Sequence, residues 1–189
     1  IKDYIYDYAE TQTFYGKDNV GDMRIKGYET YIGYDIGKLR TLLSYDVAES
    51  ELNAFDEYSV PDYSLDSARI DREQGDTLAL EIDYELTPLN LALHWDVLHV
   101  SDVGEGADLD GATANNAKDG YTVHNVSARW MPATVQGLTV TLGVDNLLDE
   151  YYASQSSRTG LSMHPRFGEL YLLDYEPGRN IKATLAYQF

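Results

Sequence analysis

The 189-residue chain contains no cysteine, so it has neither a disulfide framework nor a thiolate metal site. It is also short of cations: 14 Lys and Arg stand against 32 Asp and Glu, a formal charge of −18. That balance argues against nucleic acid as a partner, whose affinity comes largely from Lys and Arg on phosphates. No run of residues approaches the ~18 consecutive apolar positions that a transmembrane helix needs. There is no signal peptide, and the first residue is Ile rather than Met, so the chain reads as a piece of a longer one. Tyrosine, by contrast, is abundant. Seventeen tyrosines among 43% hydrophobic residues are too many for the disorder that strong acidity alone would suggest.

Those hydrophobic residues alternate. Near the end, Ile181, Ala183, Leu185, Tyr187 and Phe189 fall on one face of a strand, with Asn180, Lys182, Thr184, Ala186 and Gln188 on the other. Thr77 to Leu86, Leu89 to His99, Leu138 to Asp145 and Leu39 to Val47 repeat the pattern of one apolar and one wet face. Asp22 to Tyr34 sets Tyr28, Thr30, Ile32 and Tyr34 against Gly27 and Glu29. Tyr121 to Trp130 comes into phase only at Val126, Ala128 and Trp130, a break that leaves room for a bulge. With the alternating opening Ile1 to Tyr8, the expected count is about eight strands.

The connections are of two kinds. Asp35 to Lys38, Thr87-Pro88 and Met131 to Gly137 are short and carry Gly or Pro. Glu10 to Gly21, Ser50 to Gly75, Ser101 to Asp119 and Leu147 to Pro177 are long. Short turns at one end and long loops at the other are the pattern of an outer-membrane barrel, whose tilted strands need ~10 residues to cross the bilayer. The expected class is therefore all-β: a transmembrane antiparallel up-and-down barrel. Tyr187 and Phe189 fit the interfacial aromatic girdle, and this ending resembles the C-terminal signal read by the outer-membrane assembly machinery.

The wet faces carry Glu81, Asp83, Glu85, Asp96 and Lys182. An eight-stranded barrel has an interior just wide enough to be filled by side chains. Carboxylates packed there need cationic partners, and few are nearby in sequence. This favours eight strands of a wider barrel with a hydrated or plugged lumen. A self-contained eight-stranded barrel with a structural or adhesive role is the alternative.

Three motifs bear on the family. Val144-Asp145-Asn146-Leu147-Leu148-Asp149-Glu150-Tyr151-Tyr152 resembles the "NLFD-x-x-Y" signature near the end of TonB-dependent outer-membrane receptors. Glu176-Pro177-Gly178-Arg179-Asn180 resembles their "PGRN" entry into the last strand, and Ile25-Lys26-Gly27-Tyr28-Glu29 is similar to their "G-x-E" strand. The resemblance implies that residues 1–189 are the C-terminal part of a 22-stranded type of barrel, with the N-terminal plug and TonB box absent. It implies outer-membrane receptors that bind a scarce nutrient and import it with TonB-derived energy, the cargo being an iron complex such as a ferric siderophore or haem. The implied partners are that cargo, the TonB complex through the missing N-terminal region, the assembly machinery and lipopolysaccharide. Chemically, Asp145 and Asn146 suit a strand end where Asx side chains bond nearby backbone, Pro177-Gly178 suits a turn, and Arg179 can hold a carboxylate.

For ligand contact the stretch Ala153 to Arg166 stands out, with Arg158, His164 and Arg166 in an otherwise acidic protein. Arginine binds anionic chelates or haem propionates bidentately, and histidine can ligate haem iron. The "EPGRN" ending is similar to that of haem and haemoglobin receptors, although their FRAP and NPDL motifs do not occur here. Asp108-Leu109-Asp110-Gly111 lacks the further ligands and closing Glu of a calcium loop and is expected to be a solvated acidic loop, so neither a resident metal nor a cofactor is expected. Asp56, Glu57, Asp62, Asp66, Asp71 and Glu73 are expected to form another acidic face. His94, His99, His124 and His164 sit in no nucleophile motif such as G-x-S-x-G, and no catalytic residue is assigned.

Overall fold

The computed structural model describes residues 1–11, 14–55, 74–104, 117–157, 161–164, 168–171 and 174–189. Asp56 to Glu73 and the Asp108–Gly111 sequence therefore lie outside the described residues. Among the described residues ten strands form: β1 (Tyr4–Thr11), β2 (Phe14–Asp35), β3 (Leu39–Ala54), β4 (Thr77–Leu86), β5 (Leu91–Val100), β6 (Tyr121–Trp130), β7 (Leu138–Asp145), β8 (Leu161–His164), β9 (Gly168–Tyr171) and β10 (Asn180–Tyr187). Eight of them make one antiparallel sheet in the order β1-β2-β3-β4-β5-β6-β7-β10, and β8 and β9 pair separately as a hairpin. The sheet is an up-and-down meander. It does not close, because β1 and β10 occupy its two edges. The closed eight-stranded alternative needs those two strands to pair.

Register puts the apolar rows side by side. Across one level, Ile32 lies opposite Leu43, Leu43 opposite Leu80 and Leu80 opposite Val97. Further round, Ala128 lies opposite Leu142 and Leu142 opposite Ala183. This face stays bare: Ile32, Tyr34, Leu43, Tyr84, Trp95, Trp130, Leu142, Leu185 and Tyr187 are all exposed. A contiguous apolar surface of this extent would be a liability in water and is the lipid-facing band of a transmembrane sheet. Its ends are marked. Tyr28 and Tyr45 approach each other at one margin, with ring centroids 6.1 Å apart. Tyr34, Tyr84, Trp130 and Tyr187 lie toward the short turns. Beyond Tyr28 the same face turns charged, where Lys26 pairs with Glu49 at 3.5 Å.

Three expectations are corrected. Glu10 to Gly21 is not a long loop, because β1 and the first part of β2 pair from Tyr4↔Gly21 to Thr11↔Phe14. β2 and β3 accordingly run well beyond Asp22 and Val47, the ends read from polarity, since outside the apolar band backbone pairing continues without hydrophobic alternation. β6 has no bulge; its register with β5 is unbroken from Tyr121↔Val100 to Trp130↔Leu91. Its phase breaks because Tyr121 and Val123 turn to the polar face and are buried there with Val100, against Leu98 and Tyr152.

That cluster lies at the long-loop end. Gly27 of the "G-x-E" strand has a simple physical basis, since a Cβ there would run into the Val47 carbonyl of β3.

Candidate functional site: the mouth above the polar face

The polar face carries linked charges rather than isolated ones. Arg40 Nε donates to Asp35 at 2.9 Å. His94 stands between two carboxylates, with Nδ1 2.8 Å from Asp83 and Nε2 3.2 Å from Asp96. Asn125 Nδ2 donates to Asp96 at 2.7 Å, and its Oδ1 accepts the Asn146 N–H at 2.9 Å. Lys182 pairs with Asp145, which also accepts from Asn180 Nδ2 at 3.3 Å. Of the wet-face carboxylates read from the sequence, Asp83 and Asp96 thus meet His94, while Arg40 and Lys182 pair with two others, Asp35 and Asp145. Asp96, Asn125, Asp145, Lys182 and Tyr152 line a recess of about 390 Å³.

The roof of this recess begins where β7 ends. Asn146 is 4% exposed and adopts the left-handed conformation, φ 50°. Its side chain binds one residue twice, Oδ1 accepting the Glu150 N–H and Nδ2 donating to the Glu150 carbonyl, both at 2.8 Å. This is the Asx role expected of the strand end. Asp149, also left-handed, accepts the backbone N–H of Arg179 at 2.8 Å. One contact between the two motifs is therefore made by the main chain of Arg179 meeting a carboxylate.

From this turn the chain runs along the rim as residues 151–157, toward the tops of β4 and β5. Ala153 bridges Tyr175, and the Glu176 N–H donates to the Tyr152 carbonyl at 2.9 Å. Two tyrosine pairs result: Tyr121 with Tyr152, centroids 4.4 Å apart, and Tyr151 stacked on Tyr175 at 4.2 Å. Burial, then the neighbouring Glu176 and Tyr121, raises the Tyr152 phenol above its usual pKa, so it remains a neutral donor. Tyr151, Tyr152 and Tyr175, with Lys118, Asp119 and Ser154, border a second recess of about 200 Å³.

Gln155 lies toward the far end of this stretch, 4% exposed. Its Oε1 accepts the Gly75 N–H, its Nε2 donates to the Ser101 carbonyl at 2.6 Å, and its own carbonyl receives the Lys118 ammonium. Nothing in the sequence distinguishes this glutamine from a solvated loop residue. Tyr151 and Tyr152 were legible as part of a motif, though not as a mouth lining.

Of the residues expected to contact ligand, Arg158 and Arg166 lie outside the described residues. His164 ends β8, opposite Gly168 in the β8–β9 hairpin, within what reads in sequence as one long loop. Tyr187 and Phe189 are exposed, and Tyr187 lies opposite Leu138 at the short-turn end of β10. Among the described residues no group of three or more His, Cys, Asp or Glu is placed to hold a metal ion.

Residues 1–147 match the family model described as TonB dependent receptor-like, beta-barrel. The chain is 31% identical over 117 residues to the haem transporter BhuA of Brucella abortus, covering 61% of this chain and 16% of that protein. Among solved structures, the FrpB iron transporter of Neisseria meningitidis overlays with a TM-score of 0.66 at 18% identity, covering all of this chain and 26% of that one. The copper transporter OprC overlays with a TM-score of 0.69 at 20% identity, again over all of this chain and 28% of that one. At such identities the overlays establish the fold alone. The chain spans about a sixth of the length of the haem transporter that it matches.

Proposed function

We propose, from the premise that this chain belongs to the TonB-dependent receptor-like β-barrel family, that it is the C-terminal wall of a receptor importing haem. The family's barrels lie in the outer membrane of Gram-negative bacteria, and the bare apolar band fits that location. The observation that carries the cargo is the 31% identity to a protein named as a haem transporter. The unclosed sheet suits a partial wall of a wide barrel, with a plug and TonB contact supplied by sequence outside these residues. The role is binding and passage, driven by the TonB complex, with no catalytic step. Tyr187 and Phe189 serve barrel assembly in this reading, through the machinery that inserts such proteins.

Ligand contact is assigned to the mouth, with Arg158 and Arg166 meeting anionic groups of the cargo and His164 available to its iron. In the full-length receptor, the paired change Arg158→Ala and His164→Ala should lower haem affinity by at least about tenfold, because a hydrogen bond to a charged group is worth ~1.5–3 kcal/mol. Spectrophotometric haem titration of the purified receptor measures this, and unchanged affinity would remove these residues from the site. Cargo itself is tested by growth. Cells lacking the gene should fail on haem as sole iron source while growing on ferric siderophores; the opposite pattern would make the cargo a siderophore.

A further inference from the structure

The stretch 151–157 runs along the rim from the end of β7 toward the tops of β4 and β5, and the buried side chain of Gln155 ties its far end to both. At the near end it is rooted in the Asn146–Glu150 turn. At the far end Gln155 reaches the tops of two other strands, meeting Gly75 just before β4 and Ser101 just after β5. An amide is suited to this position, since it must accept from an N–H and donate to a carbonyl at once. The backbone there is crowded. A Cβ on Gly75 would collide with the Ser101 carbonyl, and one on Gly120 would press on Asp102 N and the Val100 carbonyl. The Lys118 ammonium closes the same knot from the end of the β5–β6 connection, on the main-chain carbonyl of Gln155.

We infer that Gln155 is a latch: its side-chain amide holds the 151–157 strap along the rim, beside the polar recess that Tyr152 lines, by joining it to the tops of β4 and β5. Tyr152, three residues earlier, is then kept against Tyr121 and at the recess lined by Asp96, Asn125, Asp145 and Lys182. Gln155 acts as a positioning residue. The inference is independent of which cargo the receptor carries.

The test uses the full-length receptor in lipid, with spin labels on Ser156→Cys in the strap and Ala133→Cys in the β6–β7 turn. Both positions are exposed, and this part of the protein has no native cysteine. The parent should give one narrow inter-label distance. Gln155→Met keeps the volume but removes both hydrogen bonds, and should broaden the distribution and shift it to longer distances. Gln155→Glu keeps an acceptor for Gly75 but loses the donor to Ser101, and should fall between parent and methionine. Heat-modifiable migration must be unchanged in all variants, which separates release of the strap from loss of the barrel. A methionine variant with the parent's narrow distribution would overturn the latch, since packing alone would then hold the strap. If the distances shift while haem affinity stays the same, the latch stands and the mouth loses its assignment as the haem site.

Discussion

Asn146 concentrates more structure than any neighbour of similar size. It accepts the left-handed backbone that Asn tolerates better than most residues, and it closes a pair of hydrogen bonds onto Glu150. Its N–H meanwhile ties the turn to Asn125 on the polar face. Asn146→Ala should destabilise the folded receptor by ~1–3 kcal/mol, since the turn loses its paired groups and gains strain. Asn146→Gly should recover part of that loss by removing the strain but not the missing bonds. Urea unfolding of the receptor in lipid measures both. This role was legible in sequence, because an Asx residue closing an apolar-alternating strand has few local alternatives. Gln155 was not legible: its partners lie 54 and 80 residues away in the chain, and no local pattern announces them. The mouth site was therefore read as a polar loop with cations, while the rings and the amide that shape it came only with the structure.

At the scale of the strand, polarity and pairing are separate signals. Within the apolar band they coincide, so β4, β6 and β7 have the bounds read from alternation alone. Outside the band they part, which hid the outer reaches of β2 and β3 and made β6 look irregular. The band also makes a sharp contrast between faces. Leu80→Arg, near mid-band on the apolar side of β4, should cost ~2–4 kcal/mol, the penalty for a cation at the bilayer midplane. Thr141→Arg, on the polar side of β7 among Asp96, Asp145 and Lys182, should cost far less. Equal losses in lipid-based unfolding would mean that the assignment of faces is wrong.

The whole molecule is a wall with two open edges. Within the apolar band the unpaired edges are those of β2, which β1 meets only from Gly21 outward, and of β10, and a sheet of this kind is stable in a membrane only when those edges are met. Residues 1–189 expressed alone should therefore fail to give a heat-modifiable, protease-resistant band, and should give one when the upstream strands are restored. A compact resistant band from the segment alone would revive the eight-stranded alternative. The wall is also uneven in height. β3 continues past the Lys26–Glu49 pair to Ala54, whereas β6 and β7 stop near the rim. Above Val47, β3 alone adds seven residues, roughly 23 Å along the strand at ~3.3 Å per residue. Among the described strands of this sheet, the wall thus rises as a parapet on one flank. Among the described residues, the ladder of the main sheet reaches furthest beyond the band on this flank, where β2 runs past Gly21↔Ala54 and continues against β1 to Thr11↔Phe14.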